Sequence, residues 1–378
     1  MNTKTSPFNI LIFAILWVFT NPLIAHEKMY GLDHELKKFY TKEYSVNNGD
    51  NVSINNRYGK IDVKTWAKQS VKIEVHVIVK ASSKSKAEEK HEEIKIYMDK
   101  TGDKVSGRTE IESSNQSWWS SWWNNDTNVK LEINYTVFMP ENLDSFLENK
   151  YGNIYLPDLK ANSNIVLKYG NLQANNIWGD CIMELGYGKA TFGTLRNLTA
   201  TIAYSDITCT SADAMVITSK YSKLQADQLK KLIATSKYDT YKIRASEQLT
   251  LTGAYDDIEI GSVYNATVTL KYTGLDIDNL GGSMTANLSY GSMTIQALKN
   301  SFKKMVVSSS YAPIKIYGSV PAKIDISGKY FDANLGSDFI ATKRDVDGSS
   351  KFIQGHKGSD RANASITINT SYGDVMIK

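Results

Sequence analysis

The sequence predicts an all-β fold, a single-stranded β-solenoid of the β-helix or β-roll kind with about 17–18 residues per coil and an N-terminal hairpin and short-helix insertion. Three observations carry this. Tyr recurs at Tyr151, Tyr169, Tyr187, Tyr204, Tyr221, Tyr238, Tyr255, Tyr272, Tyr290, Tyr311 and Tyr330, with gaps of 18, 18, 17, 17, 17, 17, 17, 18, 21 and 19. Apolar residues recur three and five places after these tyrosines, with a mostly polar residue between them. The composition, with only 6 Pro and abundant Gly, Ser, Thr and Asn, suits many short strands and turns. The period is too short for two helices per repeat.

The chain starts with a polar segment and an apolar run over 10–19, and Pro22-Leu23-Ile24-Ala25 then ends in a small residue. That is the layout of a cleaved secretory signal over residues 1–25. The run is shorter than the roughly 20 apolar residues a membrane span needs. No later segment has the length for a transmembrane helix, and no Cys follows the run to carry a lipid. The remaining chain is long enough to bury one large core. Its net charge of +4 is too balanced to imply a nucleic-acid partner.

Residues 26–148 are expected to hold a first coil and a capping unit. A polar lead-in over 26–48 precedes a strand–turn–strand at 51–63, with Tyr58-Gly59-Lys60-Ile61-Asp62-Val63 at its turn. Val71, Ile73, Val75, Val77 and Val79 alternate with polar residues, the period of a half-buried strand. Residues 82–94 read as a short exposed helix opened by Ser. Strands follow at 94–98 and 104–111. A polar loop with Trp118, Trp119, Trp122 and Trp123 comes next, and then an alternating strand at 129–137 closed by Pro140. This insertion suits a cap, because an open solenoid edge invites aggregation.

Residues 149–378 are expected to form the repeat domain. Within each coil, Tyr+3 and Tyr+5 face inward and Tyr+4 outward. A further apolar position recurs at Tyr+8, as in Leu159, Ile177 and Leu229. Positions four and two before the Tyr are often apolar, as in Ile165 and Leu167 or Val268 and Leu270, so parity places the Tyr inward or at a corner and requires a bend at Tyr+1 and Tyr+2. From Gly152 to Gly291 the Tyr+1 position holds Gly, Ser, Asp or Thr, most of which tolerate turns. Apolar positions do not recur every six residues, which favours a right-handed or flattened coil over the left-handed hexapeptide form. Residues 337–364 read as a loop, and Tyr372 restores the motif for a last coil. Cys209 takes an inward slot and Cys181 a different angular position, so a disulfide is the lesser expectation.

Three features are candidate contact sites. The tyrosines read as a ladder stacked inside the solenoid, with an exposed strip for sugar rings as the alternative. The residue before the Tyr is basic at Lys150, Lys168, Lys220, Lys237 and Lys271, an outward row interrupted at Gly186, Ala203 and Ala254. It is either a solvated face that blocks edge pairing or a strip for anionic polysaccharide or lipid headgroups. The four tryptophans either fold back on protein surface or form an aromatic platform for glycans or a membrane interface. Catalysis finds little support: the five histidines are scattered, and no nucleophile elbow, phosphate loop or metal-ligand spacing occurs. No cofactor or metal is expected.

Signal segment, Tyr58-Gly59-Lys60-Ile61-Asp62-Val63, the Lys/Glu helix, Tyr135-Thr136-Val137-Phe138-Met139-Pro140 and the Gly-x-apolar-x-apolar repeats together resemble a known group. These are exported bacterial β-solenoid proteins labelled adhesins, of unknown biochemical role and related to the head domain of autotransporter adhesins. The resemblance covers about residues 45–378. It implies an exported, non-enzymatic envelope or surface protein, in the periplasm, on the outer surface or secreted, that meets a glycan or a protein. It supplies no catalytic residues. The alternatives are a carbohydrate-active enzyme, lyase- or hydrolase-like, on a β-helix, and a periplasmic scaffold or signalling partner.

Overall fold

A computed structural model describes residues 32–112 and 129–378. The signal segment and the four tryptophans lie outside the described residues. The described chain is a β-solenoid. Strand Ser163–Lys168 pairs in parallel with Asp144–Lys150 on one side and with Ile177–Gly186 on the other, each 18 residues away. From Lys189–Ala203 onward, 15-residue strands stack in parallel through Asp206–Lys220, Lys223–Lys237, Thr240–Ala254 and Asp257–Lys271. Every coil aligns identical slots, so rows of like side chains run along the axis.

The coil at Tyr204 shows the rule. Its inward side chains are Ser205, Ile207, Cys209, Ala212, Met215, Ile217 and Ser219. Ile207, Cys209 and Ala212 fill the Tyr+3, +5 and +8 rows that the sequence predicts, Ile217 and Ser219 the two rows before the next Tyr, and Ser205 and Met215 add inward rows that the sequence reading did not assign. The spacing of three between inward residues marks the bends. One bend differs from expectation. Thirteen tyrosines, including Tyr58 and Tyr372, adopt the left-handed conformation with φ between 50° and 61°. The turn is thus made by the tyrosine itself. The left-handed residue reverses side-chain parity one position early, so Tyr+1 takes the inward slot and the ring points out.

Both ends close by a change from parallel to antiparallel pairing. At the N-terminal end the coil of Tyr58 stacks directly on that of Tyr151. The inserted strands Lys104–Ile111 and Val129–Met139 continue the parallel register beyond it. Ser70–Ala81 then pairs antiparallel with Val129–Met139, and His34–Ser45 antiparallel with Ser70–Ala81. Helix Lys84–Glu92, capped by the Ser83 side chain, buries Ala87 and His91 against this layer. Residues 34–45 are therefore a strand and not a plain lead-in. Leu36, Tyr40 and Tyr44 pack partly against the core, but Lys38 and Lys42 stand between them on the same face, so the alternating signal is broken.

The C-terminal end departs further from expectation. The coil of Tyr372 is last in sequence but not in space. Its strand Ala364–Ser371 inserts between Lys304–Ser310 and Ala322–Lys329 and pairs in parallel with both. Residues 337–364 are not a loop throughout: Phe339–Asp347 and Ser350–Lys357 form an antiparallel hairpin whose second strand caps Ala322–Lys329. Cys181 and Cys209 are both buried and unpaired, and burial pushes each thiol up to about 12. Among the described residues no helix is long and apolar enough to cross a membrane.

Candidate functional site

The tyrosine corner is the most regular surface of the molecule. The rings form one continuous file from Tyr58 through Tyr151 to Tyr311, then Tyr372 and Tyr330. Successive centroids are 4.7–5.4 Å apart and the planes within 18° of parallel. The spacing is set by the ~4.8 Å between paired strands. A left-handed non-glycine residue costs about 1–2 kcal/mol, and an offset-stacked aromatic pair contributes about 0.5–1.5 kcal/mol beyond area burial. Stacking to both sides therefore offsets the backbone strain, which is why the strain can recur in every coil.

The file is not inside the solenoid. From Tyr169 to Tyr372 the rings are 41–56 % exposed, and only Tyr58 is buried. Neighbours cover the ring faces, so solvent meets ring edges and hydroxyls. That removes the simplest version of the sugar-strip reading, because a sugar stacks on a face and the faces are taken. The edge of an aromatic ring is the positive rim of its quadrupole.

The predicted lysines lie along this file. Lys150, Lys237 and Lys271 each sit over their own following tyrosine, with Nζ 5.2, 5.1 and 5.4 Å from the ring centroid. Lys168 instead pairs with Glu184 at 2.7 Å, and that hydrogen bond holds its ammonium above the ordinary lysine range. Lys220 is exposed. The structure thus brings the basic row and the aromatic file together as one electropositive edge, and Glu184 masks Lys168 in it. Trp118, Trp119, Trp122 and Trp123 fall outside the described residues.

Beneath the edge runs a ladder that the sequence reading took only for turn-tolerant residues. Gly188 N–H donates to Ser205 Oγ at 3.2 Å, and Ser205 N–H to Ser222 Oγ at 3.3 Å. Ser222 N–H donates to Asp239 Oδ1 and Asp239 N–H to Asp256 Oδ1, both at 2.8 Å, and Asp256 N–H donates to Thr273 Oγ1 at 3.2 Å. Each Tyr+1 side chain serves the Tyr+1 backbone of the preceding coil, 17 residues back. A signal for this was present: Ser, Asp or Thr follows the Tyr wherever a 17-residue coil has just closed.

Two of these side chains are carboxylates. Burial pushes Asp239 up to about 6, and the charge of Asp256 one coil away adds to it. Burial also raises Asp256, whose Oδ2 accepts from Ser236 Oγ at 2.8 Å. Asp239 Oδ2 is buried without a partner among the described residues. Tyr241 Oη lies 2.7 Å from Ser219 Oγ beside them, and burial raises its phenol strongly. The group is closed to solvent and supports the backbone. Elsewhere the acidic residues are dispersed: Glu259 pairs with Lys242, and Asp227 with Arg244. Among the described residues no cluster of three His, Cys, Asp or Glu is placed to hold a metal.

No protein-family model matches the sequence, and no curated protein does. Solved structures do align. A "putative cell adhesion protein" from Clostridium sporogenes is 12% identical over 91% of this chain and 99% of its own, with a TM-score of 0.18. A "putative adhesin" from Bacteroides fragilis is 14% identical over 74% and 97%, with a TM-score of 0.25. A "putative lipid binding protein" from Parabacteroides distasonis is 12% identical over 74% and 94%, also at 0.25. The solenoid itself is defined by the coil-to-coil register of this chain.

Proposed function

We propose that this is an exported, non-enzymatic component of the cell envelope or cell surface, adhesin-like, whose solenoid presents a repetitive edge to an acidic glycan. The observation that supports it most is the solvent-facing tyrosine file with lysines in register beside it. Ring rims and ammonium groups have the same sign, and hydroxyls repeat at every coil, so the edge suits a polyanion that also accepts hydrogen bonds. An apolar run over 10–19 and a following segment that ends in the small residue Ala25 support export.

Two experiments test this. Cell fractionation combined with surface proteolysis is expected to place the chain in the envelope or outside the cell, and recovery in the cytoplasm overturns it. The purified chain is expected to bind acidic polysaccharide with an affinity that falls with salt. Lys220→Glu/Lys237→Glu is expected to weaken binding at least tenfold. Unchanged binding in that variant overturns the assignment to this edge.

A further inference from the structure

We propose that the sheet face just before the tyrosines is a second ligand surface, an open groove for an uncharged hydroxylated polymer, a neutral glycan laid along the solenoid axis. It lies beside the tyrosine–lysine edge, with Lys271 on the rim between them, and differs from that edge in ligand class.

Two outward rows define the face, the fifth and the third residue before each tyrosine. In stacking order from the coil of Tyr204 to that of Tyr372, Thr199 to Thr367, the first row holds only Thr, Val and Ile, and Asp325 of the Tyr330 coil bounds it beside Thr367. From Thr201 to Asn369 the second holds only Thr, Asn and Ser. Eight coils and two rows make sixteen outward positions without one charge, in a chain that is 22% charged. A surface of this kind gives a charged ligand no counter-charge for its lost hydration. It offers methyl groups and hydroxyls side by side, with Val216 and Ile233 well exposed among them. The two surfaces of a sugar ring, C–H and O–H, match that mixture.

Toward the C-terminal end the face becomes concave. The residue before the tyrosine changes from Lys271 to Ser289 and Ser310, and removal of the long side chains opens a groove of about 620 Å³. Its floor carries Thr252, Thr269, Asn287, Ser308 and Asn369, one from each successive coil. Their side chains make no hydrogen bond among the described residues. The contrast is with Asn153, Asn171 and Asn265, whose side chains accept backbone N–H groups. Five unspent hydrogen-bonding groups at a repeat of ~4.8 Å face a ligand that itself repeats.

Size argues against a second copy of the chain as the occupant. Eight coils by two rows span about 40 by 10 Å, or about 400 Å². A stable interface buries about 800 Å² per partner. A glycan chain needs only a narrow track.

The test is calorimetric titration of the full exported chain with neutral hexasaccharides of the cello-, xylo-, chito- and laminari- series. At least one is expected to bind, with affinity little affected by salt. Asn287→Ala/Asn369→Ala is expected to weaken it at least tenfold, and Thr269→Lys to abolish it, with circular dichroism and thermal midpoint unchanged. Lys220→Glu/Lys237→Glu is expected to leave it intact, so loss of acidic-glycan binding does not touch this result. Three outcomes overturn the proposal: no neutral glycan binds, binding survives in Thr269→Lys, or sedimentation shows a dimer that Thr269→Lys dissociates.

Discussion

At the coils of Tyr151 and Tyr169 the residue after the tyrosine is Gly and a coil takes 18 residues. At each tyrosine from Tyr204 to Tyr272 that residue is Ser, Asp or Thr, and the coil that ends at that tyrosine took 17. The missing residue is at the far bend, where the register shifts between Ile177 and Asp180. In the glycine coils a Cβ has no room: at Gly152 it would stand 1.8 Å from the Gly59 carbonyl oxygen, and at Gly170 1.9 Å from that of Gly152. The Tyr+2 amide then uses an Asn side chain, as Asn171 N–H donates to Asn153 Oδ1 at 2.9 Å. In the shorter coils the Tyr+2 amide bonds the neighbouring backbone, as Asp206 N–H does to Gly188 O at 3.0 Å. The Tyr+1 amide now takes the side-chain acceptor. One corner geometry is thus satisfied by two sets of donors and acceptors, because every buried amide needs a partner.

The comparison can be broken from either side. Gly170→Ala forces a contact that backbone alone can relieve, and is expected to cost about 3 kcal/mol, as overpacking does. The urea midpoint checks it, and Ser222→Ala is expected to cost about 1 kcal/mol as one orphaned amide. Tyr221→Ala removes two ring stacks but keeps the left-handed strain, and is expected to cost about 2 kcal/mol. Tyr221→Gly relieves that strain and is expected to lose only about half as much. If the two variants are equal, the tyrosine backbone is not strained.

Asp239 sharpens the comparison through pH. Its folded value of about 6 lies above the ordinary unfolded carboxylate value of about 3.9. The folded chain therefore holds a proton that the unfolded chain releases between those values. This group's contribution is fully present below about pH 4 and is lost as pH rises through about 6. Thermal midpoints are expected to fall from pH 4 to pH 7. Asp239→Asn is expected to flatten that slope and to stabilise the chain at pH 7 by about 1 kcal/mol, since a neutral amide replaces a buried carboxylate oxygen without a partner. The smallest effect is expected for Lys237→Ala, under about 0.5 kcal/mol in stability.

Much of the fold was legible residue by residue. Ile207, Cys209 and Ala212 are inward as their slots after Tyr204 require, and Ser83 caps the helix it precedes. The lysine row was legible as an outward strip, but its partition was not: Glu184 reaches Lys168 only because strand stacking places them side by side. The edge strand His34–Ser45 was missed because Lys38 and Lys42 interrupt the Leu36, Tyr40 and Tyr44 face, and Phe339–Asp347 because solvent reaches nearly all of its side chains. The uncharged rows of the groove were visible as letters, but they form a face only after eight coils stack in register.

The sequence by itself determined the period, the inward rows and the solenoid, because apolar spacing alone fixes which side chains leave water. Only the tertiary structure decided which way the tyrosines point. Apolar parity leaves the ring inward or at a corner, and a left-handed backbone places it outward at the corner, at a cost that one isolated coil has nothing to offset. The stack offsets it, ring upon ring, and the same stacking lets Ala364–Ser371 enter between coils that precede it in the chain. Contacts of that kind belong to neighbouring coils and not to neighbouring residues.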